Sequence, residues 1–226
     1  MTKVWKKYIN AKKKVDVLKK YSVADAVVLS KDVSYSKFIW SLELHIKTFA
    51  NPKYNDQILR WTLVLPNGTW KKIRVAAFVS DDKIDEVIKA WADIAWNLEL
   101  ITSIEKWDIK FDVLVTSADM MRDLAKAAKI LWPKGLMPSP KAGTISNNLP
   151  KTIDELKKGR VEYKLDKTWN IHVVVGKLDF SNEDLSENIE VLLKTIKDNK
   201  PSWVKWPLIK KIALAPTMWP AIQIWF

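Results

Sequence analysis

At 226 residues, 48% hydrophobic and 28% charged, the chain can form one large domain or two ordinary ones and is too apolar for a disordered protein. No apolar run approaches the roughly 18–20 residues of a membrane span, the basic opening "MTKVWKKYINAKKKVDVLKK" leads into no apolar signal segment, and the lack of cysteine excludes disulfides, thiol catalysis and Cys-built zinc sites. The 38 Lys+Arg against 26 Asp+Glu leave a net charge of +12, above the magnitude of about 2–8 that solubility asks of a small domain, so a polyanionic partner is expected.

Residues 3–20 and 22–31 pattern as helices. "SVADAVVL" opens the second with a Ser N-cap and Asp25 three residues on, in the manner of a capping box. "FIWSLELHIKT" (38–48) alternates as a strand, and "ILRWTLVLP" (58–66) is a second strand closed by Pro66 and "NGT". The pattern then changes. Strands at 71–79, 92–95 and 111–117 alternate with helices at 81–90, 97–106 and 118–131, which predicts βαβ units and a parallel sheet. A Pro-rich loop and a helix at 148–159 follow. From 160 the style reverts: "RVEYKL" and "NIHVVVGKL" flank "DKTW" as a hairpin, 182–199 is a long amphipathic helix, and 208–216 and 221–225 are late strands around "TMWP". The fold class read from this is α/β with two domains. A discontinuous α+β domain, 1–67 plus 160–226, is interrupted by a βαβ domain at 68–159, and the two crossings form a natural hinge.

Catalytic signatures are missing. The chain has two histidines, His45 and His172, both at alternating strand positions, where a structural or RNA-facing role is expected over a metal one. No HExxH, GxSxG, GxxxxGK[ST] or GxGxxG occurs. The first βα turn of the inserted domain, "FVSDDK", has no phosphate-cradling glycine, and Asp81 and Asp82 are expected to cap the next helix. Asp119 and Asp123, near another helix start, are read as capping and dipole partners. No enzyme activity, cofactor or metal is expected.

The loop "ILWPKGLMPSPKAGT" (130–144) resembles the Gly-Pro-Arg-Gly-Leu-Met-Pro-Asn-Pro signature of the ribosomal large-subunit stalk proteins, universal family L one. "KKY" with "KKKVD", "FIWSLELHIKT", "ILRWTLVLPNGTWKKIRVAAF", "FDVLVTSADMM", "VEYKLDKTWNIHVVVGK" and "TMWP" are similar to family segments in the same order. The resemblance implies a discontinuous α+β RNA-binding domain with an inserted Rossmann-like βαβ domain, and binding rather than catalysis. The implied partners are large-subunit ribosomal RNA, held as the mobile stalk near the exit site, deacylated tRNA leaving that site, and the protein's own messenger, whose translation it represses. A cytoplasmic location on the ribosome is implied, with a monomer off it. Carried over by motif, the RNA contacts are Phe38, Ser41, Glu43 and Lys47 on the first strand, Asp166, Lys167 and Thr168 in the hairpin, and Thr217, Met218 and Trp219 near the end. Such side chains suit 2′-hydroxyls and phosphates at a shallow groove. Two other readings compete: a nucleotide- or substrate-binding enzyme on the Rossmann-like insert, and a generic basic RNA chaperone.

Glycine occurs 5 times where average composition gives roughly 16. Tryptophan occurs 13 times, an excess of about the size of the glycine deficit. Trp40, Trp61, Trp70, Trp91, Trp132, Trp169 and Trp219 fall where the resembled family has glycine, and Trp5, Trp96, Trp203 and Trp206 are read the same way. Trp91 and Trp132 are expected at left-handed helix stops, and Trp169 in a tight turn. The expectation is that most of these residues are glycine in the cell, encoded by UGA and written as Trp.

Overall fold

The computed structural model describes residues 6–34, 38–54, 59–96 (backbone only at 96), 102, 104, 109–200 and 207–225. In chain order the described elements begin α1 (Lys6–Lys13), α2 (Val23–Val33), β1 (Ser41–Thr48), β2 (Arg60–Val64), β3 (Val75–Phe78), α3 (Ile84–Lys89), β4 (Ile94–Trp96) and β5 (Val113–Thr116). They continue with α4 (Met121–Leu124), α5 (Ala128–Leu131), α6 (Leu149–Lys157), β6 (Arg160–Lys164), β7 (Asn170–Lys177), α7 (Asn182–Asp198), β8 (Ile209–Pro216) and β9 (Ile222–Ile224). Contacts divide the chain into two compact units, Met1–Trp70 with Val161–Phe226, and Lys71–Arg160.

The first unit is built on an antiparallel sheet of order β7-β1-β8-β9. Its sidedness follows from period two: Leu42, Leu44, Ile46 and Thr48 of β1 are buried, while Ser41, Glu43, His45 and Lys47 face outward. On β7, Ile171, Val173 and Val175 are buried in the same way. Helices α2 and α7 supply the other half of this core through Ala26, Val27, Leu185, Ile189, Leu192, Leu193 and Ile196. Both begin at a Ser N-cap, which the sequence predicted for Ser22. The Ser22 and Ser181 hydroxyls accept from the Asp25 and Asp184 N–H groups at 3.1 and 3.0 Å. Buried Asn188 on α7 donates to Val175 O at 3.0 Å and Gly68 O at 3.3 Å, and accepts from Asn67 N–H at 3.2 Å. That one side chain fixes the "NGT" turn to the sheet. Strands β2 and β6 pair separately.

The second unit holds a parallel sheet of order β4-β3-β5. All four residues of β3 are buried, as a central strand covered on both faces requires. Ala76 and Phe78 pack with Leu114, Leu124 and Leu131, whereas Val75 and Ala77 pack with Val87, Leu149 and Ile153. The α/β class is thus present as expected.

Several elements differ from expectation. The first helix ends at Lys13, not near 20: Val15 is drawn into the core, and the Asp16 carboxylate accepts from Leu18 N–H at 2.9 Å, turning the chain toward the Tyr21–Ile224 bridge. The helix expected at 118–131 is interrupted by a 3₁₀ turn at Ala125–Ala127. Most of the helix expected at 97–106 lies outside the described residues. Asp81 and Asp82 begin a 3₁₀ turn, Asp81–Lys83, ahead of α3, and neither Ser80 nor Lys83, at the two N-cap positions, makes a side-chain cap bond. Trp132 is not left-handed. Its φ and ψ are −63° and −50°, and helical backbone continues through it. The left-handed residue is Gly135, φ +69°. Gly135 N–H donates to Trp132 O at 3.0 Å and Leu136 N–H to Leu131 O at 3.1 Å, the paired bonds of a Schellman stop. The indole of Trp132 simply projects into solvent.

Candidate nucleic-acid interface

Strand parity places Ser41, Glu43, His45 and Lys47 in one outward row. Register sets Val174, His172 and Asn170 beside Glu43, His45 and Lys47 on β7, and Ala215, Ala213 and Lys211 beside them on β8. Thr217, just past β8, donates its hydroxyl to Glu43 Oε1 at 2.6 Å and stands 3.2 Å from Ser41 O. Its backbone N–H donates to the same Ser41 carbonyl at 3.0 Å. Three of the residues predicted for the interface therefore meet at one corner of the sheet.

A second group meets at the β6–β7 turn. Asp166 Oδ1 accepts from the N–H groups of Thr168 and Asn170 at 2.8 and 2.7 Å, and Oδ2 accepts from the Thr168 hydroxyl at 2.5 Å. Partial burial pushes the Asp166 carboxyl up. The Thr168 hydroxyl, the two N–H donors and nearby His172 outweigh it and hold the group below the usual carboxylate range. Lys167, exposed, projects from this turn.

The two corners are joined. His45 Nε2 lies 3.8 Å from Glu43, His45 and His172 touch through Nδ1 atoms 2.8 Å apart, and His172 Nε2 lies 3.5 Å from Asp166. A polar line thus runs Thr217–Glu43–His45–His172–Asp166–Thr168 across the exposed face. The two histidines are missing from the predicted contact set. Their shared parity with Glu43 and Lys47, and with Asn170, is the signal that could have found them.

The remaining predicted residues sit at the margins. Phe38 precedes β1, is 61% exposed rather than core, and leans on Trp40 at 4.1 Å between ring centroids. Lys47 is exposed on β1, opposite Asn170 and Lys211. Met218 is 81% exposed with φ +70°, so the turn presents its side chain to solvent. Trp219 is different: its indole is partly buried against the core, and the left-handed residue of this turn is Met218, its neighbour. At the other end of β8, Lys20, Lys197, Lys200, Lys210 and Lys211 line an open groove of about 670 Å³. The cationic excess is therefore concentrated in part on this unit.

Comparison with known proteins supplies the family. The model of the "Ribosomal protein L1p/L10e family" matches residues 7–220. "Large ribosomal subunit protein uL1" of Kosmotoga olearia is 42% identical over 224 residues, 99% of this chain and 97% of that protein. The uL1 protein of Thermosipho africanus is 43% identical over 225 residues, covering 99% and 97%, and uL1c of Rhodomonas salina is 43% identical over 224 residues, covering 99% and 95%. With the fold read above and likeness along nearly its whole length, the chain belongs to the ribosomal protein L1 family.

Proposed function

We propose that this chain is a structural constituent of the large ribosomal subunit. It holds a folded segment of large-subunit ribosomal RNA through the outward face of β1 and β7, forming the mobile stalk near the tRNA exit site. There it assists the release of deacylated tRNA, and it represses its own messenger where that RNA copies the ribosomal fold. The observation that carries this reading is the continuous polar line from Thr217 to Thr168, edged by Lys47, Lys167 and exposed Met218. Hydroxyls and carboxylates held at fixed spacing suit 2′-hydroxyls, and flanking lysines suit phosphates.

Filter binding of the full chain tests it. Expected is tight binding of one stalk-like ribosomal RNA fold over random duplex of equal length. Thr217→Ala or Met218→Ala should weaken that binding by about 1–3 kcal/mol with the fold intact, while Asp81→Ala leaves it unchanged. Equal affinity for random duplex would reduce the chain to a nonspecific basic binder.

A further inference from the structure

His45 and His172 are register partners on β1 and β7, their rings edge to face with centroids 4.9 Å apart. With the Nδ1 atoms at 2.8 Å, one must carry a proton and donate while the other accepts. A neutral imidazole has a single N–H, so the ring that donates through Nδ1 has a bare Nε2. Both Nε2 atoms face carboxylates, His172 at 3.5 Å from Asp166 Oδ2 and His45 at 3.8 Å from Glu43 Oε2. The closer contact takes the N–H. His172 then turns its Nε2 N–H toward Asp166 and accepts at Nδ1 from His45, and the His45 Nε2 lone pair is left facing Glu43. A proton added at that atom converts a repulsion into an ion pair and leaves the Nδ1 bond in place.

We propose that the His45–His172 pair is a proton-accepting part of the RNA interface: bound RNA drives one proton onto His45 Nε2, so affinity rises as pH falls. This rests on the RNA-binding reading above. The charged groups around the pair are few. Glu43 and Lys47 flank His45 on its own strand, Asp166 approaches His172 from the β6–β7 turn, where Lys167 is exposed, and Lys211 of β8 lies opposite Lys47. Beside His45 itself β8 offers only Ala213, and beside Glu43 β7 offers Val174. In the free protein, burial and the neighbouring His172 hold His45 below the ordinary histidine range, against an opposing pull from Glu43. A phosphate backbone adds negative potential at the ring and favours its charged form. By linkage the RNA-bound form then takes up to one more proton than the free form, and binding tightens toward acid pH. The chain has two histidines and no cysteine, and histidine is the side chain type whose charge ordinarily changes between about pH 5 and 8.

The test is the affinity of the full chain for a transcript of the ribosomal RNA stalk segment, measured from about pH 5.5 to 8 at constant ionic strength. Expected is binding several-fold to about tenfold tighter at the acid end, the range of one coupled proton. His45→Gln should bind with no such slope. Ring NMR of the free wild-type chain should show His45 titrating below the ordinary range and moving upward on adding RNA. Tight binding that is flat with pH, or a slope that survives in folded His45→Gln, overturns this proposal and leaves RNA recognition standing. Absence of binding at every pH overturns the RNA-binding reading and this inference with it. If His45→Gln does not fold, a His45 ring that fails to move on adding RNA to the wild type decides against the proposal.

Discussion

Trp70, Trp91 and Trp169 have φ of 57°, 66° and 69°. A Cβ in left-handed backbone costs about 1–2 kcal/mol, whereas glycine adopts it freely. Of the eight tryptophans with described side chains, six are exposed, although an indole is normally among the more buried side chains. Backbone and burial both point to glycine at 70, 91 and 169 in the cell. Replacing each of these three by glycine should stabilise the written sequence by about 1 kcal/mol, read by urea denaturation. Trp132→Gly should bring no such gain, because its φ is −63°. Mass spectrometry of the native protein decides the coding question: the tryptic peptide Thr168–Lys177 should carry glycine at 169, and tryptophan there would end the idea.

At the scale of elements, joints between strands and helices depend on single side chains. Asn188→Ala removes three hydrogen bonds that tie α7 to β7 and to the Asn67–Gly68 turn. It should cost about 1–3 kcal/mol, since buried polar backbone is left without its partner. Gly176 lies where β7 meets α7, and a Cβ there would stand 2.9 Å from Leu185 Cδ2, so Gly176→Ala should lower the thermal midpoint. In the second unit, Asp93 accepts from Val75 N–H at 2.8 Å and from Lys157 at 2.7 Å. Burial raises its pKa, and the Lys157 and Val75 bonds more than reverse this, leaving the group lowered. A depressed folded pKa means stability that is present above the unfolded carboxylate value and lost as pH falls through the folded one. Acid denaturation of the wild type should therefore show a loss below about pH 4 that Asp93→Asn lacks.

On the scale of the whole molecule, every residue of the candidate interface lies in the unit formed by Met1–Trp70 and Val161–Phe226. A chain with Lys71–Arg160 deleted should keep most of its affinity for stalk RNA, measured by filter binding. Comparable affinity in an isolated 71–160 fragment would place the contacts elsewhere. The basic groove at the far end of β8 belongs to the first unit as well. Affinity should accordingly fall steeply with salt, as counterion release from several phosphates requires.

The sequence by itself determined what depends on near neighbours and on composition. Period two along "SLELHIKT" assigned the buried and exposed faces of β1, Ser22 marked the start of α2, alternation of strands with helices gave the α/β class, and net charge indicated a polyanion. Ordered motifs suggested the family that the comparisons then showed. Only the tertiary structure decided which distant residues meet. Thr217 reaches Glu43 across 174 positions and His45 reaches His172 across 127, because strand pairing sets their register and no local pattern encodes it. It also decided that Trp132 continues a helical turn while Gly135 ends it, and that Trp219 turns against the core while Met218 faces solvent. These outcomes depend on where packing places each backbone turn, and that is a property of the assembled core rather than of the residues beside it.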